Sequence, residues 1–182
     1  MLKKLFNFYK IPLLISLVLS IVLVALSPSR PVLDYTQLFL GAFLGSFFLD
    51  IEFFIYAYLF EPSADFSKTL LGFVKHGDFA NAFLYLNYHK DEVKDKSINS
   101  AIFQIVMALL SISIIFATTF VFIKALVLSI FANTMYKFAE AYFKGQSDEW
   151  FWALKNKPTK NGVIAYAVGL VLVLLFCLAV YR

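Results

Sequence analysis

Charged residues are scarce in this sequence, because Asp, Glu, Lys and Arg make up 15% of its 182 residues whereas 61% are hydrophobic. A water-soluble domain alternates apolar and polar positions, but this chain repeatedly presents about 17–25 apolar residues in succession, the length that crosses a bilayer. The scarcity of charge excludes an ordinary soluble domain. The pattern predicts an all-α fold, a polytopic transmembrane helical bundle.

Cysteine and histidine are almost missing as well. Cys177 is the only cysteine, so no disulfide can form within the chain. The two histidines, His76 and His89, lie in one loop, and zinc sites need several His or Cys ligands. The sequence shows no phosphate-binding glycine loop, HExxH pair or Ser–His–Asp order. We therefore expect no cofactor, and leave open a divalent metal held by carboxylates.

The apolar runs define the expected membrane spans. The stretch of residues 98–143 is too long for one span and long enough for two, so we place a tight turn near Thr118 and Thr119. The whole chain then forms one integral membrane domain. Its expected spans are residues 11–27, 36–60, 98–117, 120–143 and 162–181.

The first run also has features of a secretory signal peptide. Lysines precede it, and Ala25 and Ser27 resemble the small residues of a cleavage site. Pro28 would constrain the backbone just after that site. Because the run is long enough to cross a membrane, we interpret it as the first span.

Basic residues are distributed unevenly between the two sides of this topology. Twelve of the sixteen Lys and Arg lie in segments on the side of the N-terminus, and Lys137 lies within a span. Only Arg30, Lys124 and Arg182 lie on the other side. The asymmetry predicts a cytoplasmic (inner) membrane protein with a cytoplasmic N-terminus and an external C-terminus. Since it also explains the basic excess, we expect membrane lipids rather than nucleic acid as partners.

The cytoplasmic loop of residues 62–97 is not a plain linker. Residues 70–74 and 79–88 are apolar and aromatic, and they flank Lys75-His76-Gly77-Asp78. Each stretch is too short to span a membrane. We expect helices that lie in the membrane interface, or alternatively a soluble helical hairpin that caps the bundle.

Ionisable residues inside the spans are the first candidates for function, because burying a charge in a bilayer is costly. Asp50 and Glu52 lie in the second span, and Lys137 and Glu140 in the fourth, at similar depths. Two residues apart on a helix, Asp50 and Glu52 point about 200° from one another. Either one of them faces another helix, or the helix is distorted.

Amide side chains accompany these charged residues. Asn133, Lys137 and Glu140 share one helix face, and Asn99 and Gln104 lie near the start of the third span. We predict one polar cluster, which is either a site for a metal, an ion or a lipid headgroup, or a structural ion pair of Lys137 with Asp50 or Glu52. Its members are Asp50, Glu52, Asn99, Gln104, Asn133, Lys137 and Glu140.

Small residues mark one face of the second span. The pattern Gly41-x-x-x-Gly45, with Ala42 and Ser46 beside it, allows another helix to approach closely. This face would also suit a homodimer or a membrane protein partner.

Residues 44–53, Leu-Gly-Ser-Phe-Phe-Leu-Asp-Ile-Glu-Phe, resemble a motif of the predicted membrane-bound metal-dependent hydrolases, a bacterial and archaeal family of small polytopic proteins. In that family a glycine-containing helix ends in Pro-Asp-x-Asp-His. Asp50 matches the first acid and Glu52 the second, whereas Leu49 replaces the proline and Phe53 the histidine.

Later segments extend the resemblance to about residues 41–155. Asn99 lies at the histidine of a Thr-His-Ser motif, and Asn133 and Lys137 lie at the histidine and aspartate of a His-x-x-x-Asp motif. Gly145 and the Trp-Phe-Trp segment at 150–152 are similar to a glycine and an aromatic segment that come after that motif in the family. The resemblance implies a retained scaffold whose metal ligands are replaced, with an ammonium where a cation would otherwise bind.

These observations favour a non-catalytic binding or interaction subunit of the membrane. One alternative is an active metal-dependent hydrolase of a lipid-linked ester at the cytoplasmic leaflet. It would use Asp50 and Glu52 as metal ligands, with His76 or His89 as additional ones. Another alternative is a small cation- or proton-coupled transporter with Asp50 or Glu52 as the carrier.

Overall fold

A computed structural model of the protein describes residues 2–89, 98–117 and 120–181. Within these ranges the chain is helical and has no strand, which confirms the predicted all-α class. The helices are α1 (Leu2–Leu26), α2 (Val32–Phe48), α3 (Ile51–Ile55), a π-helical turn (Tyr56–Phe60), α4 (Asp65–Lys75), α5 (Phe79–His89), α6 (Ala101–Ala117), α7 (Val121–Phe143), α8 (Ser147–Trp150) and α9 (Lys160–Val180).

Three helices are long and apolar enough to cross a membrane, namely Phe6–Leu26 within α1, α7 and α9. A fourth span arises if α2 and the segment Ile51–Phe60 count as one broken helix. The 17 residues of α6 would extend only about 25 Å. The helices are consistent with a membrane protein, but the five predicted spans are not confirmed.

The second predicted span is interrupted in its middle. Its helix begins earlier than expected, at Val32, and ends at Phe48; a turn at Leu49 and Asp50 precedes α3. The Phe53 amide then donates to the Asp50 carbonyl at 3.2 Å, which is a tighter turn than an α-helix makes. Asp50 and Glu52 are both buried. The sequence left two alternatives for Asp50 and Glu52, and the break shows that the second one, a distorted helix, is correct.

The chain divides into two compact units. The first unit comprises Met1–Ile11 and Asp50–Ser97, and the second unit comprises Pro12–Leu49 and Ile98–Arg182. In the first unit the two apolar stretches of the predicted cytoplasmic loop form α4 and α5. The last part of that loop, residues 90–97, lies outside the described residues.

The turn between α4 and α5 explains why these helices form a hairpin. Gly77 has a φ of 71°, a conformation that glycine adopts without steric cost. The Asp78 carboxylate then accepts the Asn81 backbone amide at 3.2 Å and so caps the start of α5. The two helices close over an apolar core that comprises Phe53, Ala57, Phe66, Leu70, Ala82 and Leu86.

The helices of the second unit run antiparallel to their neighbours in sequence. One apolar cluster gathers the ends of α1, α6 and α9 with the starts of α2 and α7, including Leu23, Leu38, Ile115, Val121 and Cys177. A second cluster gathers the opposite ends of α6, α7 and α9, including Ala101, Phe138 and Val163. The predicted turn at Thr118 and Thr119, between α6 and α7, lies outside the described residues.

Helices α2 and α7 approach each other most closely at the two glycines. A Cβ atom on Gly45 would lie 2.6 Å from the Ser129 Oγ atom, and one on Gly41 would collide with the Phe122 carbonyl oxygen. The Gly-x-x-x-Gly face therefore packs within the chain, against α7.

Replacing either Gly41 or Gly45 by alanine is expected to destabilise the protein by about 1–3 kcal/mol, because an added methyl group forces packed backbones apart. Gly169→Ala in α9 is the matched control, since a Cβ there meets no described atom within 4 Å. Thermal melting in detergent should show a lower Tm for the first two variants only. Equal melting of all three would contradict the close α2–α7 contact.

Candidate functional site

The residues that the sequence singled out fall in both units. Asp50, Glu52, His76 and His89 belong to the first unit. The second unit holds Asn99, Gln104, Asn133, Lys137 and Glu140.

In the first unit, Asp50 belongs to a small buried hydrogen-bond chain. Its carboxylate accepts a hydrogen bond from the Tyr9 hydroxyl of α1. The Asn87 amide of α5 donates to the same hydroxyl at 3.3 Å and to the Phe83 carbonyl at 2.9 Å. Although Asp50 is the N-cap residue of α3, its side chain makes no capping bond. The carboxylate therefore links helices instead of ending one.

The possible metal ligands of the first unit have different surroundings. Glu52 is buried, whereas His76 is exposed in the turn between α4 and α5. The His89 ring stacks on Tyr85 at 4.2 Å, and its Nδ1 atom lies 3.0 Å from the Tyr85 carbonyl oxygen. Among the residues that the structure describes, no three His, Cys, Asp or Glu side chains form a group that could hold a metal.

In the second unit, three serines and one asparagine from three helices form a buried network, which we call the serine–asparagine network. The Ser16 Oγ atom lies 2.6 Å from that of Ser46 and 2.8 Å from that of Ser129. The Asn133 amide donates to the Ser16 Oγ at 3.1 Å and to the Ser129 carbonyl at 2.9 Å. None of the four residues is more than 4% exposed. The network ties α1, α2 and α7 together.

The serine–asparagine network exists because the backbones of α2 and α7 are close. Ser129 packs where Gly45 has no side chain, and its hydroxyl donates to the Ala42 carbonyl at 2.7 Å. Hydroxyl and amide groups are neutral at physiological pH, so this network suits helix association rather than acid–base chemistry. The Asn133 Oδ1 atom has no hydrogen-bond partner among the described residues.

Gln104 joins a second buried group in the same unit. Its Oε1 atom accepts from the Tyr166 hydroxyl at 2.8 Å and from the Trp150 ring nitrogen at 3.3 Å. Trp150 and Phe151 are buried against Phe138, whereas Trp152 is exposed.

Asn99 bonds across to the end of α2, whereas Lys137 has a partner within its own helix. The Asn99 amide lies 3.4 Å from the Leu49 carbonyl, which the interrupted helix leaves without its usual partner. The Lys137 ammonium lies 3.7 Å from the Glu140 carboxylate, which also accepts from Lys144 at 2.8 Å. The sequence left open an ion pair of Lys137 with Asp50 or Glu52; the described pair is formed within α7.

A surface groove adjoins the serine–asparagine network. It lies between α1 and α2, has a volume of about 390 Å³, and contains Ser16 in its wall. Its polar wall residues are Ser16 and Ser20, and the Ser20 hydroxyl is bonded to the Ser16 carbonyl at 2.8 Å. The other wall residues are Leu13, Leu17, Phe39, Leu40 and Phe43.

Sequence reasoning missed Tyr9, Asn87, Ser16, Ser20 and Ser129, and it named Ser46 only as a small residue of the close-packing face. A signal was present for part of the network, since Ser16 and Ser20, and likewise Ser129 and Asn133, are four residues apart and share a helix face. Tyr9 had no such signal, because it precedes the first apolar run.

No family model, curated protein or solved structure matches this chain.

Replacing Asn133 by leucine should destabilise the second unit by about 1–2 kcal/mol, because it removes two buried hydrogen bonds between helices and within α7. Lys137→Met should cost less than about 1 kcal/mol, since the pair is partly exposed and Glu140 keeps Lys144. Unfolding free energies of both variants in the same detergent would check this order. The reverse order would indicate that Lys137 has a further buried carboxylate partner.

Proposed function

We propose that the protein is a non-catalytic, membrane-embedded binding protein that holds the acyl chain of a lipid in the groove between α1 and α2. The observation that carries the proposal is the position of Ser16, which lies both in the wall of the groove and in the serine–asparagine network. A lipid chain bound in the groove would therefore contact a residue of the network that holds α1, α2 and α7 together.

The lining of the groove favours an acyl chain over a polar ligand. Five of its seven wall residues are apolar, and both serine hydroxyls already form hydrogen bonds within the protein. Its volume of about 390 Å³ falls within the range of about 300–1,000 Å³ that is usual for ligand pockets. In a bilayer, lipid acyl chains surround an apolar surface of this kind, so an acyl chain would occupy the groove.

The residues at the former ligand positions of the resembled motifs support a non-catalytic function. Phe53 is buried in the apolar core of the first unit, Asn99 bonds to the Leu49 carbonyl, and Asn133 bonds to Ser16. Each of these residues stabilises a local structure. An active hydrolase would instead require metal-dependent turnover that depends on Asp50 and Glu52.

Leu17→Trp is expected to fill the groove and to lower the amount of lipid that co-purifies with the protein, as measured by native mass spectrometry from mild detergent. Leu172→Trp on α9 is the matched control, because Leu17 and Leu172 are 53% and 61% exposed and only Leu17 lines the groove. Equal lipid occupancy in both variants would refute the groove as the binding site.

The surroundings of Asp50 support a second candidate function, proton-coupled transport. The carboxylate is 4% exposed, lies at a helix interruption and is hydrogen-bonded to Tyr9. Buried carboxylates at interrupted helices are typical of the ion sites of transporters.

If Asp50 carries protons, Asp50→Asn should abolish proton flux into liposomes that contain the reconstituted protein. Asp65→Asn is the control, because Asp65 is exposed on α4. Flux that persists in Asp50→Asn, or no flux in the unaltered protein, would leave lipid binding as the function that the contacts support.

A further inference from the structure

Two cationic side chains lie beside one buried aromatic ring in the second unit. Arg30 lies in the connection between α1 and α2, Lys124 lies at the start of α7, and Tyr181 directly follows α9. The Arg30 guanidinium carbon and the Lys124 ammonium nitrogen each lie 5.6 Å from the centre of the Tyr181 ring. The three segments thus bring two positive charges to the same end of the helices.

The position of Lys124 is unfavourable for an isolated folded chain. The residue is 6% exposed, and a second cation, Arg30, is near. It also lies in the first turns of α7, where the helix dipole disfavours positive charge. In the part of the chain that the structure describes, its ammonium has neither a carboxylate partner nor a hydrogen-bond acceptor. Its described contact is a cation–π contact with the Tyr181 ring, which offsets part of this cost. A buried lysine that lacks a carboxylate partner and lies near another cation indicates a candidate functional site.

Arg30, by contrast, is held in place. Its guanidinium lies 3.7 Å from the Asp34 carboxylate, and its backbone amide donates to the Tyr35 hydroxyl at 3.4 Å. That hydroxyl in turn donates to the Pro28 carbonyl at 2.7 Å, which closes the connection between α1 and α2. Among the described residues, Asp34 is the acidic side chain that contacts this pair, so the three side chains together are positively charged.

We propose that Arg30 and Lys124, whose charged groups both lie beside the Tyr181 ring, form a binding site for a phosphate group. A guanidinium presents several donors to phosphate oxygens, and a nearby ammonium adds a second charge-assisted bond. If α7 and α9 cross the bilayer, their ends lie at the level of the lipid headgroups, where basic pockets between helices bind phosphates. The phosphate belongs either to a phospholipid or to a free anion. This site is independent of the acyl-chain groove.

The first test measures lipid selectivity. The full-length protein in an uncharged detergent is titrated with phosphatidylglycerol or with phosphatidylcholine and analysed by native mass spectrometry. Lys124→Met and Arg30→Gln should each weaken binding of phosphatidylglycerol about fivefold, the effect expected of one basic residue at a membrane surface. Lys160→Met removes an exposed lysine at the opposite end of α9, about 30 Å along the helix from Tyr181, and should change binding less than about twofold.

The second test identifies the source of the phosphate. The Tm of the lipid-free protein is measured in inorganic phosphate and in sodium chloride of equal ionic strength. A rise in Tm that is specific for phosphate and is lost in Lys124→Met shows that a free anion binds. Selectivity for phosphatidylglycerol without that rise assigns the site to a lipid headgroup.

Stability without any phosphate distinguishes a binding site from a structural contact. Removing a buried cation that has no carboxylate partner among the described residues should leave the Tm of Lys124→Met equal to or above that of the unaltered protein. Arg30→Gln provides the second variant if Lys124→Met does not fold. If neither lipid selectivity nor the phosphate response separates these two variants from Lys160→Met, the proposal is overturned.

Discussion

The second unit depends on the close approach of α2 and α7 at Gly41 and Gly45. A side chain at either glycine would collide with Phe122 or Ser129 on the facing helix. Between helices in a lipid environment there is little hydrophobic driving force, so close packing and polar contacts provide the association. The absence of a side chain at Gly45 brings the Ser129 hydroxyl to the backbone of α2, and this contact makes the rest of the serine–asparagine network possible.

The interruption of the second predicted span has a similar physical basis. A broken helix leaves backbone polar groups without partners, which an apolar environment does not tolerate. In the second unit the Asn99 amide approaches the free Leu49 carbonyl. In the first unit Tyr9 donates to the carboxylate of Asp50. The Asn99 amide thus satisfies a backbone group that the break exposes, and Tyr9 satisfies a buried side-chain carboxylate at the break.

The polar side chains of the second unit fall into two kinds. Ser16, Asn133 and Gln104 form hydrogen bonds with other helices and so hold the bundle together, although the Asn133 Oδ1 and Gln104 Nε2 atoms have no partner among the described residues. Lys124 has no such partner among the described residues and lies beside a second cation. The first kind supports a scaffold with an apolar groove on its surface. The second kind suggests where a negatively charged group would bind.

The sequence by itself determined the helical class, the approximate ends of α7 and α9, the C-terminal end of α1, and the close-packing face of Gly41 and Gly45, because composition and spacing along one helix encode these features. It did not determine the start of α1, which begins at Leu2 whereas the expected span begins at residue 11. The sequence also showed that an ideal helix cannot direct both Asp50 and Glu52 to one place, so that either one of them faces another helix or the helix is distorted. Only the tertiary structure decided between them and identified the partners of the polar groups. Tyr9 bonds to Asp50, and Ser16 to Asn133, across 41 and 117 residues of sequence. Helical periodicity indicates which residues share a face, but the face that each helix turns toward its neighbours is set by the packing of the whole unit.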